Sequence, residues 1–149
     1  MIMMPTLAKI DGDQKQCRRL LAKLFAAGFP VMLCCSIGLW AIAPIFAHWI
    51  YRLPELVELF RAATPLCFLC AMENLAGGAI AALGLQKSSM YGALPSAALS
   101  FLLTWLLTAI PSMRLYGVIA GLAVGHIFAI IWNAGVLYHW VKNHSVKDR

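Results

Sequence analysis

Four stretches of this chain are so long and so poor in charge that hydrocarbon, not water, must be their solvent. Leu24 to Tyr51, Ser88 to Met113 and Leu115 to Val141 contain no Lys, Arg, Asp or Glu, and Ala62 to Gln86 contains only Glu73. Each exceeds the roughly 20 residues with which a helix crosses a bilayer core of about 30 Å. None shows the alternating segments of about ten residues that mark a barrel strand. A helix pairs every backbone group internally, and lipid offers no other partner. The expected fold is therefore all-α: a polytopic membrane protein with four transmembrane helices near 24–51, 62–86, 88–110 and 115–141. These form one membrane domain, 24–141, with 1–23 as a cytoplasmic N-terminal segment and 142–149 as a cytoplasmic tail. Charged residues make up 12% of the chain, against about 25% in soluble domains, so the polar surface a water-soluble fold needs is lacking. Pro5, Asp11, Gly12 and Asp13 precede the basic cluster, the reverse of a cleavable signal, so insertion is expected through the first span.

The positive charges set an orientation. With both termini cytoplasmic, Lys9, Lys15, Arg18, Arg19, Lys23, Lys87, Lys142, Lys147 and Arg149 share the inner side, leaving Arg52, Arg61 and Arg114 outside. That is the positive-inside bias of a plasma-membrane protein. Trp49 and Tyr51 fall near the outer interface, and Tyr138 and Trp140 near the inner one, where amphipathic rings are favoured. Because the positives flank membrane runs, lipid headgroups explain them better than nucleic acid. Pro54, Glu55 and Glu58 mark the first outer loop. Lys87–Ser89 reads as a very short inner turn and Pro111–Arg114 as a short outer one, making consecutive helices antiparallel neighbours.

Small residues recur at helical spacing. Ser88, Gly92, Ser96, Ser100, Thr104 and Thr108 form a ridge on the third helix, and Gly117, Gly121, Gly125 and Ala129, then Asn133, form one on the fourth. Small side chains let backbones approach closely where lipid supplies no hydrophobic drive. Close packing of these edges is the expectation. The alternatives are hydroxyls bonded back one turn along their own helix, or a polar lining for a transport path. On the second helix, Cys70, Asn74, Gly78 and Ala82 form a ridge, with Glu73, Gly77 and Ala81 on its shoulder, so Glu73 and Asn74 are expected to face nearly the same way.

Glu73 is the costly residue. A charge at the bilayer centre costs from about 3 to over 10 kcal/mol, so it does not belong against lipid. Two arrangements satisfy it: a protonated carboxyl in a packed interface, or a wet cavity with a cation, proton or polar substrate. The second is the expectation, because intramembrane carboxylates mark pathways. His126 and Asn133, seven residues apart, are the other deep polar groups. The candidate cavity or ion-coupling residues are thus Glu73, Asn74, His126 and Asn133, although packing alone also accounts for His126. His48, His139 and His144 read as interfacial. Pro30, Pro44, Pro65 and Pro95 fall inside the spans, where each removes a backbone hydrogen bond.

Other chemistry lacks its residues. Of the cysteines Cys17, Cys34, Cys35, Cys67 and Cys70, four lie within spans, and Cys67-x-x-Cys70 has no second pair, so both read as small apolar packing. Neither metal-ligand spacing nor a nucleophile–base pair occurs. No metal, no cofactor and no enzymatic activity are expected.

The order of several features resembles a known family. These are Pro5, the Gly12-Asp13 turn, the Arg18-Arg19 pair, Gly28-Phe29-Pro30 and Pro44-Ile45-Phe46. Leu85-Gln86 at a helix end, a Ser- and Pro-bearing helix, and Tyr116-Gly117 with Ala120-Gly121 follow. Over nearly the whole chain this is similar to the stage V sporulation protein B group of polysaccharide transporters. That group belongs to the multidrug/oligosaccharidyl-lipid/polysaccharide (MOP) flippase superfamily, which includes the MATE-like transporters. The resemblance implies four helices from the second lobe of a two-lobed flippase. Such a protein carries lipid-linked saccharides, cell-wall precursors among them, across the bilayer by alternating access. The first lobe, with its basic substrate cavity, has no counterpart, and Met1 opens into an internal loop pattern. A fragment is therefore expected, whose transport needs the missing lobe or self-association, with membrane lipids and a lipid-linked saccharide as partners. Two other readings stand beside it: a small four-helix multidrug exporter acting as a dimer around its carboxylate, and a non-transporting membrane subunit or remnant.

Overall fold

The computed structural model describes residues 14–145, with side chains from 18 to 142. It contains four long helices: α1 (Gln14–Ile45), α2 (Leu56–Ala82), α3 (Gln86–Thr108) and α4 (Arg114–Ser145). A π-helical turn, Phe46–Ile50, prolongs α1. All four are long and apolar enough to cross a membrane, and no strand occurs among the described residues. Only 11% to 22% of each apolar stretch is buried inside the chain. Trp49, Leu94, Phe101 and Trp105 stand exposed. Such a surface is opposite to that of a water-soluble bundle, and the chain is a multi-pass membrane protein.

The helix ends do not coincide with the ends of the charge-poor stretches. α1 begins at Gln14 rather than Leu24, carrying Lys15, Arg18, Arg19 and Lys23 on the same continuous helix. α2 starts at Leu56, ahead of the expected Ala62, and stops at Ala82. α3 opens and closes two residues earlier than expected, and α4 runs on to Ser145. Where a helix runs past its charge-poor stretch, the reason is physical: charge marks where oil ends, whereas backbone hydrogen bonding continues into water. Residues 1–13 and 146–149, which hold Pro5, Lys9, Gly12-Asp13, Lys147 and Arg149, lie outside the described residues, as does the side chain of His144. Pro30, Pro44, Pro65 and Pro95 all sit within continuous helices. The π turn begins two residues after Pro44, and the His48 ring donates from Nδ1 to the Pro44 carbonyl at 2.8 Å.

The turn between α2 and α3 is Leu83–Leu85, not Lys87–Ser89, which lie in the first turn of α3. Gly84 adopts φ +73°, a left-handed conformation that costs other residues a steric clash. Its N–H reaches the Ala81 carbonyl and the Leu85 N–H reaches Ile80, both at 3.1 Å. That bond pair is a Schellman cap, which satisfies carbonyls left over at the end of α2. Between α3 and α4, Met113 N–H bonds the Ile110 carbonyl at 3.0 Å and Arg114 enters α4 with φ +31°.

The spatial order is α1, α2, α4, α3. α4 packs along α3 on one side and α2 on the other, whereas α2 and α3 barely meet. Leu21 and Ala79 form a small buried cluster with Leu24, Phe25, Leu83 and Trp140 around it. Ile80 is fully buried. The contact between α1 and α2 is fastened by edge-on packing of Phe29 and Phe68 at 5.5 Å.

Candidate functional site

The two ridges anticipated on α3 and α4 interlock in antiparallel register. A Cβ added to Gly117 would lie 2.8 Å from the Leu107 carbonyl carbon, and one on Gly121 would lie 2.6 Å from the Thr104 nitrogen. At Gly125 an added Cβ would overlap the Ser100 hydroxyl, and at Gly92 the indole of Trp132. Only glycine permits these backbones to come so close.

The hydroxyls of the ridge divide between two roles. Ser96, buried, donates across the interface to the Gly125 carbonyl at 2.8 Å. Thr108 instead bonds back to the Thr104 carbonyl at 2.7 Å. The buried Thr104 hydroxyl has no hydrogen-bond partner among the described residues and packs against Gly121. Near the start of α3, Trp132 donates from Nε1 to the Ser88 carbonyl at 3.0 Å, and Ser89 donates to the Asn133 side chain at 3.3 Å. Asn133 is buried in this contact, so its carboxamide helps join α3 to α4. The Trp132–Gly92 contact escaped sequence reasoning, although a bulky ring facing a lone glycine one helix away is its recognisable trace.

Across the other face of α4, Glu73 and His126 meet. A Glu73 carboxylate oxygen contacts His126 Nδ1, the only ion pair among the described residues. Both were singled out from sequence, but as separate groups; the fold makes them partners. Glu73 lies nine residues before the end of α2, about 14 Å along the axis, and so deep in the membrane. In the two states that pair imidazolium with carboxylate, or neutral imidazole with carboxylic acid, the contact carries no net charge, and those states avoid most of the penalty of an isolated ion in oil. The side chains retain 31% and 27% of their surfaces respectively, so the pair is not sealed within the four helices.

Two expected associates of Glu73 are elsewhere. Asn74 is exposed, its amide donating to the Cys70 carbonyl at 2.8 Å. Adjacent residues on a helix diverge by about 100°, and that rotation carries Asn74 away from α4. Gly77 has nothing within 4 Å of an added Cβ, so it does not mediate a helix contact within the chain. Gly78 is half-buried. Cys34, Cys35, Cys67 and Cys70 are free thiols. No group of three or more His, Cys, Asp or Glu able to hold a metal occurs among the described residues.

Compared with known proteins, the chain matches no family model, no curated protein and no solved structure.

Proposed function

We propose that this chain is a membrane transport module in which the Glu73–His126 pair responds to protons or to a cationic substrate group. One observation carries the reading: a carboxylate and an imidazole share a contact deep in the bilayer while remaining partly open at the face of the unit. A purely structural pair gains from being sealed, because a low-dielectric surround strengthens its attraction. An open pair needs a second surface or a wet path opposite it, since lipid satisfies neither partner. Moving one proton changes the charge of the site by one, and that change biases which neighbour the site favours.

Within this reading, the substrate class is the lipid-linked saccharide implied by the resemblance to MOP flippases, and the chain supplies helices from one of two opposed lobes. Four helices frame one wall of a path. The opposite wall comes from another lobe or a second copy, and the mechanism is alternating access between the two.

The test uses proteoliposomes containing the full chain and a trace of fluorescent polyprenyl-diphosphate-linked saccharide. Cross-linking first establishes that the chains have associated. A membrane-impermeant reductant then bleaches probe in the outer leaflet. Transport should expose the protected inner-leaflet half, and Glu73→Gln should slow that exposure about tenfold or more, as expected where a required proton site is lost. Associated chains that leave half the probe protected, as in empty vesicles, would refute the flippase reading.

A further inference from the structure

The groove between α1 and α2 has the polarity of an amphiphile. It encloses about 370 Å³ and is built from Leu33, Ser36, Ile37 and Trp40 on α1 and Arg61, Thr64, Pro65 and Phe68 on α2. Each set follows the helical spacing of a single face. The antiparallel helices place Trp40 beside Arg61 at one end and Leu33 beside Phe68 at the other, about 11 Å further along the axis. The Arg61 guanidinium lies 4.5 Å from the centre of the Trp40 ring. Its Nε is buried and has no hydrogen-bond partner among the described residues. Glu58, one turn earlier, and Glu55 are both exposed, and neither pairs with it.

Arg61 lies five residues into α2, about 7.5 Å from its start. The neighbouring Trp49 and Tyr51 are exposed at the same end, as interfacial rings are. The cation therefore sits near lipid-phosphate depth, and apolar walls continue below it toward the acyl region. A guanidinium stacked on an aromatic ring keeps its N–H edges for a planar or tetrahedral anion.

We infer that this groove seats one anionic membrane phospholipid, its phosphate on Arg61 and the upper part of an acyl chain along Ile37, Leu33 and Phe68. This site is independent of the Glu73–His126 pair. The cation at interfacial depth and the apolar walls below it fit an anionic phospholipid, which the bilayer itself presents to the groove, whereas a free anion has nothing to fill the apolar end.

Trp40 reports directly on the groove. In a full-length variant with Trp49, Trp105, Trp132 and Trp140 changed to Phe, its fluorescence is measured in mixed vesicles. These contain equal fractions of acyl-brominated phosphatidylglycerol or acyl-brominated phosphatidylcholine. The anionic lipid should show about a fivefold higher apparent affinity for the quenching site, the ratio one basic side chain confers at a membrane surface. Arg61→Gln should reduce that ratio to about one, and Arg61→Lys should retain part of it. Equal quenching by the two lipids, a ratio unchanged by Arg61→Gln, or no quenching by either would overturn the proposal, the last by indicating a protein occupant. Loss of the preference in millimolar inorganic phosphate would overturn it in favour of a soluble anion. Should the four-fold variant not fold, native mass spectrometry of the wild type and Arg61→Gln reads the same preference. Equal retention of phosphatidylglycerol by both would then count against the site.

Discussion

Replacing Gly121 by alanine should pry α3 from α4, and the structure sets the size of the effect. The new Cβ would stand 2.6 Å from the Thr104 nitrogen and 2.8 Å from its Cα. Carbon atoms settle at about 3.5–4.0 Å, so the helices must separate locally by about 0.7–1.2 Å. The obstruction is backbone, which cannot rotate aside as a side chain does. Overpacking of this kind costs about 1–3 kcal/mol, or a fall of roughly 5- to 150-fold in the folding equilibrium constant. Gly77→Ala provides the contrast. It meets nothing within 4 Å, and alanine favours a helix over glycine by about 0.5–1 kcal/mol, so this change should be neutral or mildly stabilising. Equilibrium unfolding in mixed micelles, titrated with sodium dodecyl sulfate and followed by circular dichroism, compares the two. Similar effects of both substitutions, or an unchanged midpoint for Gly121→Ala, would mean that the glycine edge of α4 is not the seam described here.

Three other outcomes are expected. Ser96→Ala removes the buried donor to Gly125 and should cost about 0.6–1.7 kcal/mol in the same titration; no loss would mean that another group satisfies that carbonyl. In a double-mutant cycle, Glu73→Gln and His126→Gln should show a coupling of about 0.5–3 kcal/mol, whereas strict additivity would mean the two groups do not interact in the membrane. Reporter fusions at the two ends should both read cytoplasmic, and opposite readings would overturn the orientation inferred from the positive charges.

Much of this architecture was legible because lipid imposes a strict rule on composition. The four spans follow directly from where charge is missing. The glycine edge of α4 and the hydroxyl edge of α3 were visible as repeats of four, and the structure engages them with each other. Helix ends were less legible: Lys15, Arg18 and Lys23 mark the limit of the oil without interrupting α1. The turn between α2 and α3 shifted because Gly84, with its left-handed backbone, ends α2 before Lys87 is reached. Glu73 and His126 were each recognisable as expensive residues, but their contact depends on α4 lying against α2, which no local pattern encodes. Asn74 was misplaced for the opposite reason. Its neighbour's importance was extended to it, although one residue of helical rotation was enough to send it elsewhere.

The placement of α4 between α2 and α3 has a consequence for biosynthesis. When α3 leaves the ribosome, the helix that will hold it has not yet been made, and α2 offers it little surface. The hairpin of α2 and α3 must therefore stay splayed in the bilayer, or remain sheltered by the insertion machinery, until α4 arrives and wedges between them. Nascent chains arrested before Arg114 should accordingly be open to protease and chaperone surveillance, and completion of α4 is the event that joins α3 to α2.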